Sequence, residues 1–238
     1  MNSLKDKVAY ITGGSKGIGY GIAKILLENG MKVAITSRSA SAAQQAAASL
    51  STDPSRMLAL QSDVSSLTSE TNAVKAATEH FGKVDVVIAN AGVGHFASIE
   101  DLSESDWKEM IDTNLTGVFN MCHAALPHLR NRGGGYIINI SSLAGKNPFA
   151  GAAAYCASKS GLNAFSEALM QEVRYENIRV TYIMPGSVAT GFSGGDQAKG
   201  ADWKAHSEDV AAVVIDVLTS HPRSLQSRIE LRPSKPRK

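Results

Sequence analysis

Short runs of β-branched and apolar residues alternate with longer helical patterns along the whole chain, and no other feature narrows the fold so far. Residues 7–12, 32–37, 57–62, 84–89, 135–141 and 178–184 read as strands, with a last strand expected near 227–232. Helical patterns fall near 17–29, 40–50, 66–81, 104–131, 152–176 and 207–219. Strands such as KVAYIT (7–12) and VDVVIA (84–89) are apolar almost continuously, so both of their faces must be covered. Doubly buried strands alternating with helices predict an α/β fold: a Rossmann-type, doubly wound parallel sheet of about seven strands with helices on both faces. No repeat, linker or change of composition divides the 238 residues, a length that suits one domain with a full core.

The first strand runs into Thr12-Gly13-Gly14-Ser15-Lys16-Gly17-Ile18-Gly19, which opens a helix. Glycine permits a tight turn and close approach of the backbone to a ligand, and a helix N-terminus offers free N–H groups to a pyrophosphate. Gly13, Ser15, Lys16, Gly17, Ile18 and Gly19 are therefore candidate dinucleotide contacts. The spacing is Thr-Gly-x-x-x-Gly-x-Gly, and no Gly-Lys-Ser/Thr follows, which argues against a nucleoside-triphosphate loop. An NAD site expects an acidic residue at the end of the second strand, to bond the ribose 2′-hydroxyl. This chain has Thr36-Ser37-Arg38 there. Ser37 and Arg38, with Lys16 as a second cation, suit a 2′-phosphate, so NADP(H) is expected ahead of NAD(H).

In the run YCASK, Tyr155 and Lys159 are four residues apart on a helix, on one face and offset by about 6 Å. A free phenol titrates near pH ~10, and a lysine cation beside it favours the phenolate. The pair is a candidate acid/base, although the same spacing also occurs on ordinary half-exposed helix faces.

Several other features bound the reading without pointing to chemistry. The net charge of +2 gives no reason to expect nucleic acid or an acidic membrane surface as partner. Five cations against Glu230 make the segment 228–238 basic, and a solvated tail is its simplest reading. Cys122 and Cys156 form no disulfide framework; Cys156 is expected to be a small core residue. MNSLKDKV lacks an apolar stretch, and no segment approaches the ~18 apolar residues of a membrane span, so a cytoplasmic, reduced protein is expected. His123 and His128 are poorly spaced for a shared metal, and no metal site is expected. The Ala-rich stretch 42–48 reads as plain helix. Ala154, Ala157, Gly161, Ala164 and Ala168 form a stripe of small residues, expected to pack inside the molecule first and between subunits second.

The ordered motifs TGGSKGIG (12–19), SDV (62–64), ANAG (89–92), DTNLTG (112–117), INISS (138–142), Tyr155 with Lys159, and PGSVAT (185–190) resemble the short-chain dehydrogenase/reductase family. The likeness covers nearly the whole chain and is greatest to the 3-oxoacyl-carrier-protein reductase group. It implies that Asp63 and Val64 take the adenine, and that Asn90, Ala91 and Gly92 pass the ribose. Pro185, Gly186, Val188 and Thr190 would hold the nicotinamide carboxamide. Ser142, thirteen positions before Tyr155, would bond the substrate carbonyl oxygen, with Ser141 as the competing serine. Tyr155 would donate the proton, Lys159 would bind the ribose and lower the tyrosine's pKa, and Asn114 would hold a water of the proton path.

The family further implies a homodimer or homotetramer built on two long helices. His95, Phe149 and Phe192 are candidates for the substrate cleft, the phenylalanines equally as loop anchors on the core. The stretch 187–206 would cover the substrate, with 191–195 as a mobile lid. Ala89 replaces a more usual Asn, and the ending RIELRPSKPRK departs from the carrier-protein reductases. The substrate therefore stays open among an acyl thioester, a small hydroxy acid, a pterin and a sugar. A sensor or scaffold that binds NADP(H) without chemistry is the alternative from another class. A sugar-nucleotide epimerase fits poorly, for want of a C-terminal substrate domain.

Overall fold

The computed structural model describes residues 3–193 and 201–236. Seven strands alternate with seven α-helices: β1 (Val8–Ile11), α1 (Gly17–Glu28), β2 (Lys32–Ser37), α2 (Ala40–Leu50), β3 (Met57–Gln61), α3 (Leu67–Phe81) and β4 (Val86–Ala89) form the first half. The second comprises α4 (Glu104–Ile111), α5 (Gly117–Asn131), β5 (Gly135–Ile140), α6 (Ala153–Val173), β6 (Ile178–Pro185), α7 (Ser207–Thr219) and β7 (Arg228–Leu231). All neighbouring strands pair in parallel in the order β3-β2-β1-β4-β5-β6-β7. The order reverses between β1 and β4, so the loops leaving these two strands diverge and open a crevice at their C-terminal ends.

Alternate residues of the central strands serve two separate cores, which is why those strands are largely apolar, whereas the edge strand β7 exposes Arg228 and Glu230. On one face Ala9, Ile11, Val33 and Ile35 pack with Ile22 and Leu26 of α1 and with Val210, Val214 and Val217 of α7. On the other, Val8, Tyr10, Val87 and Ile137 meet Val74 of α3, Met121 and Leu129 of α5, and Leu162 of α6. Helix starts follow local chemistry: Ser39, Ser66 and Ser103 each accept a backbone N–H from the first turn of α2, α3 and α4.

Two expectations require correction. The pattern over 104–131 is not one helix; α4 and α5 are joined by a π-helical turn, Asp112–Thr116. The small-residue stripe on α6 does not pack within the molecule along its length, because Ala157, Ala164 and Ala168 face solvent. Only Ala154 is buried, while Gly161 lies against Leu115. Cys122 and Cys156 are both free and buried, as expected of core thiols, and burial pushes Cys122 up to about 12.

One buried acid sits apart from the crevice. Glu70 of α3 accepts hydrogen bonds from Tyr10 (3.1 Å) and Ser62 (2.5 Å). Burial outweighs these bonds and raises its pKa. A carboxyl raised in the folded state contributes stability that is full below the unfolded pKa and is lost as pH rises through the folded one. Glu70→Gln, which cannot ionise, should therefore stabilise the protein at neutral pH, with no gain at pH ~4. Urea unfolding of both proteins at the two pH values checks this.

Candidate active site

The loop after β1 is shaped by close contacts that leave no room for side chains. Gly13 (φ +65°) and Gly17 (φ +58°) adopt the left-handed backbone conformation. A Cβ on Gly19 would lie 2.4 Å from the Asn90 side-chain nitrogen and 2.6 Å from the Gly13 carbonyl. Asn90 in turn donates to the carbonyls of Thr12 and Gly13, each at 3.0 Å, and Thr12 Oγ1 accepts the N–H groups of Asn90 and Ala91. The two loops of the crevice are thus stitched together, with Asn90 as the stitch. No side chain caps α1, whose N-cap Lys16 is extended and exposed. Its first N–H groups therefore remain for an anion, and the loop fits a dinucleotide pyrophosphate.

Other candidate contacts surround this loop. Asp63 follows β3 with one carboxylate oxygen held by Ser65, and Asn120 donates to the Val64 carbonyl (2.8 Å). Beyond β6, Gly186 donates to Leu231 (2.8 Å), and Val188 bridges to Ala205. A Cβ on Gly17 would lie 3.5 Å from the Thr190 methyl, so this segment closes back over the phosphate loop. Arg38, just after β2, reaches across the crevice: its Nη1 meets Glu109 of α4 at 3.1 Å. The other Glu109 oxygen meets His95 Nε2 at 2.9 Å. The His95 hydrogen bond and then Arg38 hold the Glu109 carboxyl below its usual range.

At the far end of the crevice α6 presents Tyr155 and Lys159 together, as their spacing predicts. Lys159 is buried, donates to the Ile140 carbonyl (3.0 Å), and lies 6.0 Å from the Tyr155 ring centre. Burial alone pulls its pKa down to about 8. Tyr155 moves the other way: burial raises it and contact with the Ser142 hydroxyl partly opposes this. Of the two serines, Ser141 is buried and donates to Asn163 (2.5 Å), which leaves Ser142 as the one beside Tyr155.

Asn114 stands in the π turn, fully buried. Its Oδ1 accepts from Val93 (2.8 Å), and its Nδ2 donates to the Val93 carbonyl (2.9 Å) and to Ser158 (3.1 Å). Its amide is thus committed to joining the β4 exit loop to α6, with one oxygen lone pair left. A Cβ on Gly92 would lie 3.2 Å from Asn114 Oδ1 and 3.7 Å from Lys159 Nζ, so the groups converge on one point.

An aromatic wall faces the Tyr155 ring. Phe96 lies 5.6 Å away edge-on, Phe192 at 5.8 Å, and Phe149 stacks behind Phe96 at 6.0 Å. All three are between 42% and 54% exposed, so Phe149 and Phe192 are not anchors in the core. Phe96 was missed by the sequence reading: a lone aromatic in a loop carries no periodic signal, and its position next to His95 was the only cue. His95 itself is turned toward Glu109 and Asp106 and not toward Tyr155. These three groups offer ligand atoms within 4.8 Å of one another, but Arg38 already shares Glu109. Of the expected lid, Gly194 and Gly195 lie outside the described residues; Gly191–Ser193 form a 3-10 turn that carries Phe192.

A sequence model of the short chain dehydrogenase family matches residues 7–200. The chain belongs to that family. It is accordingly an oxidoreductase, built on the family's Rossmann-like fold. It is 32% identical to an uncharacterized oxidoreductase of Staphylococcus epidermidis over 98% of this chain and the whole of that one. It is 39% identical to a 3-oxoacyl-[acyl-carrier-protein] reductase of Chlamydia muridarum, over 82% of this chain and 79% of that one. Among solved structures, an alcohol dehydrogenase of Thermococcus sibiricus complexed with 5-hydroxy-NADP superposes with TM-score 0.91 at 30% identity. That comparison covers 98% of this chain and 99% of the other. A 3-ketoacyl-(acyl-carrier-protein) reductase of Brucella melitensis complexed with NADH gives 0.89 at 28%, with the same coverage. No described helix of this short-chain dehydrogenase is long and apolar enough to cross a membrane.

Proposed function

We propose that this one-domain protein is an NADP(H)-dependent reductase of a carbonyl compound with hydrophobic substituents or, in reverse, a dehydrogenase of the secondary alcohol. The observation that carries the reading is Tyr155, held between Ser142 and a buried Lys159 and facing a wall of phenylalanines. A nicotinamide held in the crevice would supply the hydride. Ser142 holds the carbonyl oxygen by a hydrogen bond. Tyr155, kept protonated at neutral pH by its burial, gives its proton to that oxygen. These donors point to where negative charge develops, which is the expected main source of rate enhancement. Lys159 would hold the nicotinamide ribose and, with its pKa pulled down to about 8 by burial, return a proton toward Tyr155. Asn114 positions the loop and helix that meet there.

The preference for NADP(H) rests on Arg38 and Lys16 and on the missing carboxylate at the end of β2. Glu109 competes for Arg38, so a 2′-phosphate must take the guanidinium from it. Asp63 and Val64 would flank the adenine, Asn90 to Gly92 the ribose, and Pro185 to Thr190 the carboxamide. Phenylalanine rings suit an acyl chain or a planar ketone better than a sugar or a small hydroxy acid. The exposed Ala157, Ala164 and Ala168 of α6, with exposed Phe119 on α5, support a homo-oligomer, and the free cysteines a reduced cytoplasmic setting.

Purified protein should oxidise NADPH with hydrophobic ketones or acyl thioesters and leave sugars untouched. In the same titrations, Arg38→Ala should weaken NADPH binding about tenfold and NADH binding little, the loss of one charge-assisted contact. Glu109→Gln, which frees Arg38, should tighten NADPH alone. Binding of NADPH without turnover on any carbonyl would favour a sensor, and equal affinities for both dinucleotides would overturn the cofactor assignment.

A further inference from the structure

At the opposite edge of the sheet from Tyr155, where β1, β4, β5 and β6 begin, a cavity of about 350 Å³ opens among Lys7, Arg132, Arg174 and Arg179. The topology gathers these cations from four parts of the chain: the approach to β1, the end of α5, the turn after α6, and β6. Asp85 is the one acid of the lining. It is already committed, accepting from the Val8 N–H (2.7 Å) and pairing with Arg132 (2.6 Å) and Lys83 (3.4 Å). Nearby Glu176 is held by Arg130.

Arg132 is thus satisfied by Asp85 and by the Gly134 carbonyl, to which its Nη1 donates (2.7 Å); among the described residues the side chains of Lys7, Arg174 and Arg179 have no such acceptor. Arg179 lies over the Tyr136 ring at 4.4 Å, and its Nη1 is buried with no hydrogen-bond partner. A buried guanidinium N–H in that state is unusual in a folded protein and calls for a group that would accept from it. Burial lowers the Lys7 pKa; Asp85 opposes this most strongly among the neighbouring charges, and Arg179, Arg132 and Lys83 add to the lowering. The glycine run at the mouth cannot serve as the acceptor's cradle, because the N–H groups of Gly133, Gly134 and Gly135 already bond Arg130, Leu129 and Asn177. It does leave an entrance, since a Cβ on Gly133 would meet nothing within 4 Å.

We propose that this cavity binds a compact phosphate-type anion, a pyrophosphate or a phosphate monoester, at a site separate from the dinucleotide crevice. Guanidinium groups and an ammonium around one small volume match the oxygens of a phosphoryl group. An anion there ties together the starts of four adjacent strands, so its binding is read as stability.

Thermal unfolding of the full chain at fixed ionic strength, in inorganic phosphate, pyrophosphate, glycerol 3-phosphate or chloride alone, tests the site. Saturating pyrophosphate should raise the midpoint by about 4 °C over chloride. Comparing its apparent affinity with that of glycerol 3-phosphate distinguishes diphosphate from monoester. Lys7→Gln and Arg174→Gln, at the margin of the cavity and clear of the Tyr136 stack, should each weaken that affinity about tenfold. Arg38→Ala, in the dinucleotide crevice, should leave it unchanged. No shift over chloride, or a shift kept in full in both Lys7→Gln and Arg174→Gln, would overturn the proposal. The result stands apart from the catalytic reading, which Tyr155 alone decides.

Discussion

Tyr155→Phe is expected to lower turnover by about a thousandfold, the contribution typical of a well-placed general acid, with little change in the affinity for NADPH. The substitution removes one oxygen and keeps the ring against Phe96 and Phe192, so the wall and the fold have no cause to move. What is lost is the proton donor held against the Ser142 hydroxyl. Burial raises the Tyr155 pKa, so the group is a donor through neutral pH, and the pH profile of reduction should be flat on that account until well into the alkaline range. Single-turnover mixing of enzyme, NADPH and ketone separates the outcomes. A slow chemical step with unchanged NADPH binding supports the assignment. Unchanged turnover would remove Tyr155 from the chemistry and leave Ser142 as the remaining candidate.

The strand positions were legible to within about two residues because burial on both faces makes the central strands nearly uninterrupted apolar runs. Neither Val86–Ala89 nor Val8–Ile11 contains a polar residue to blur its limits. The break between α4 and α5 was not legible, for a physical reason. A π turn inserts one residue per turn while leaving Met110, Leu115 and Val118 apolar, so the pattern over 104–131 reads as continuous. That turn is what buries Asn114, and a composition argument has no access to it. The α6 stripe shows the converse limit. Small residues at helical spacing permit close packing but do not say with what, and three of them face solvent.

The site was legible wherever function depends on residues close in sequence. Tyr155 and Lys159 share a helix face, and the glycines of 13–19 share one turn. It was not legible where groups meet across the chain. The contact of Arg38 with Glu109 spans the crevice from β2 to α4, and it turns an expected free cation into one that is shared. The cluster of Lys7, Arg132, Arg174 and Arg179 likewise arises only because the parallel order places the beginnings of β1, β4, β5 and β6 side by side.

Lys159→Met should inactivate the enzyme and at the same time stabilise it. The ammonium is buried, donates to the Ile140 carbonyl alone, and has its pKa pulled from 10.5 to about 8 by loss of hydration. A lysine whose folded pKa lies below its unfolded one opposes folding while both states are charged, and the opposition fades as pH rises from the folded to the unfolded value. Below pH ~8 that cost is of order 3 kcal/mol, and a methionine of similar length avoids it. Denaturant unfolding at pH 7 should show the variant more stable, with the difference shrinking between pH ~8 and ~10.5 as the wild-type lysine loses its proton. A ground-state cost carried by a single buried charge is reasonable only where that charge acts in the reaction, which is why both readouts belong in one variant. If Lys159→Met proved less stable at pH 7, the bond to Ile140 would outweigh desolvation, and the buried ammonium would be a structural tie between α6 and β5 before it was anything else.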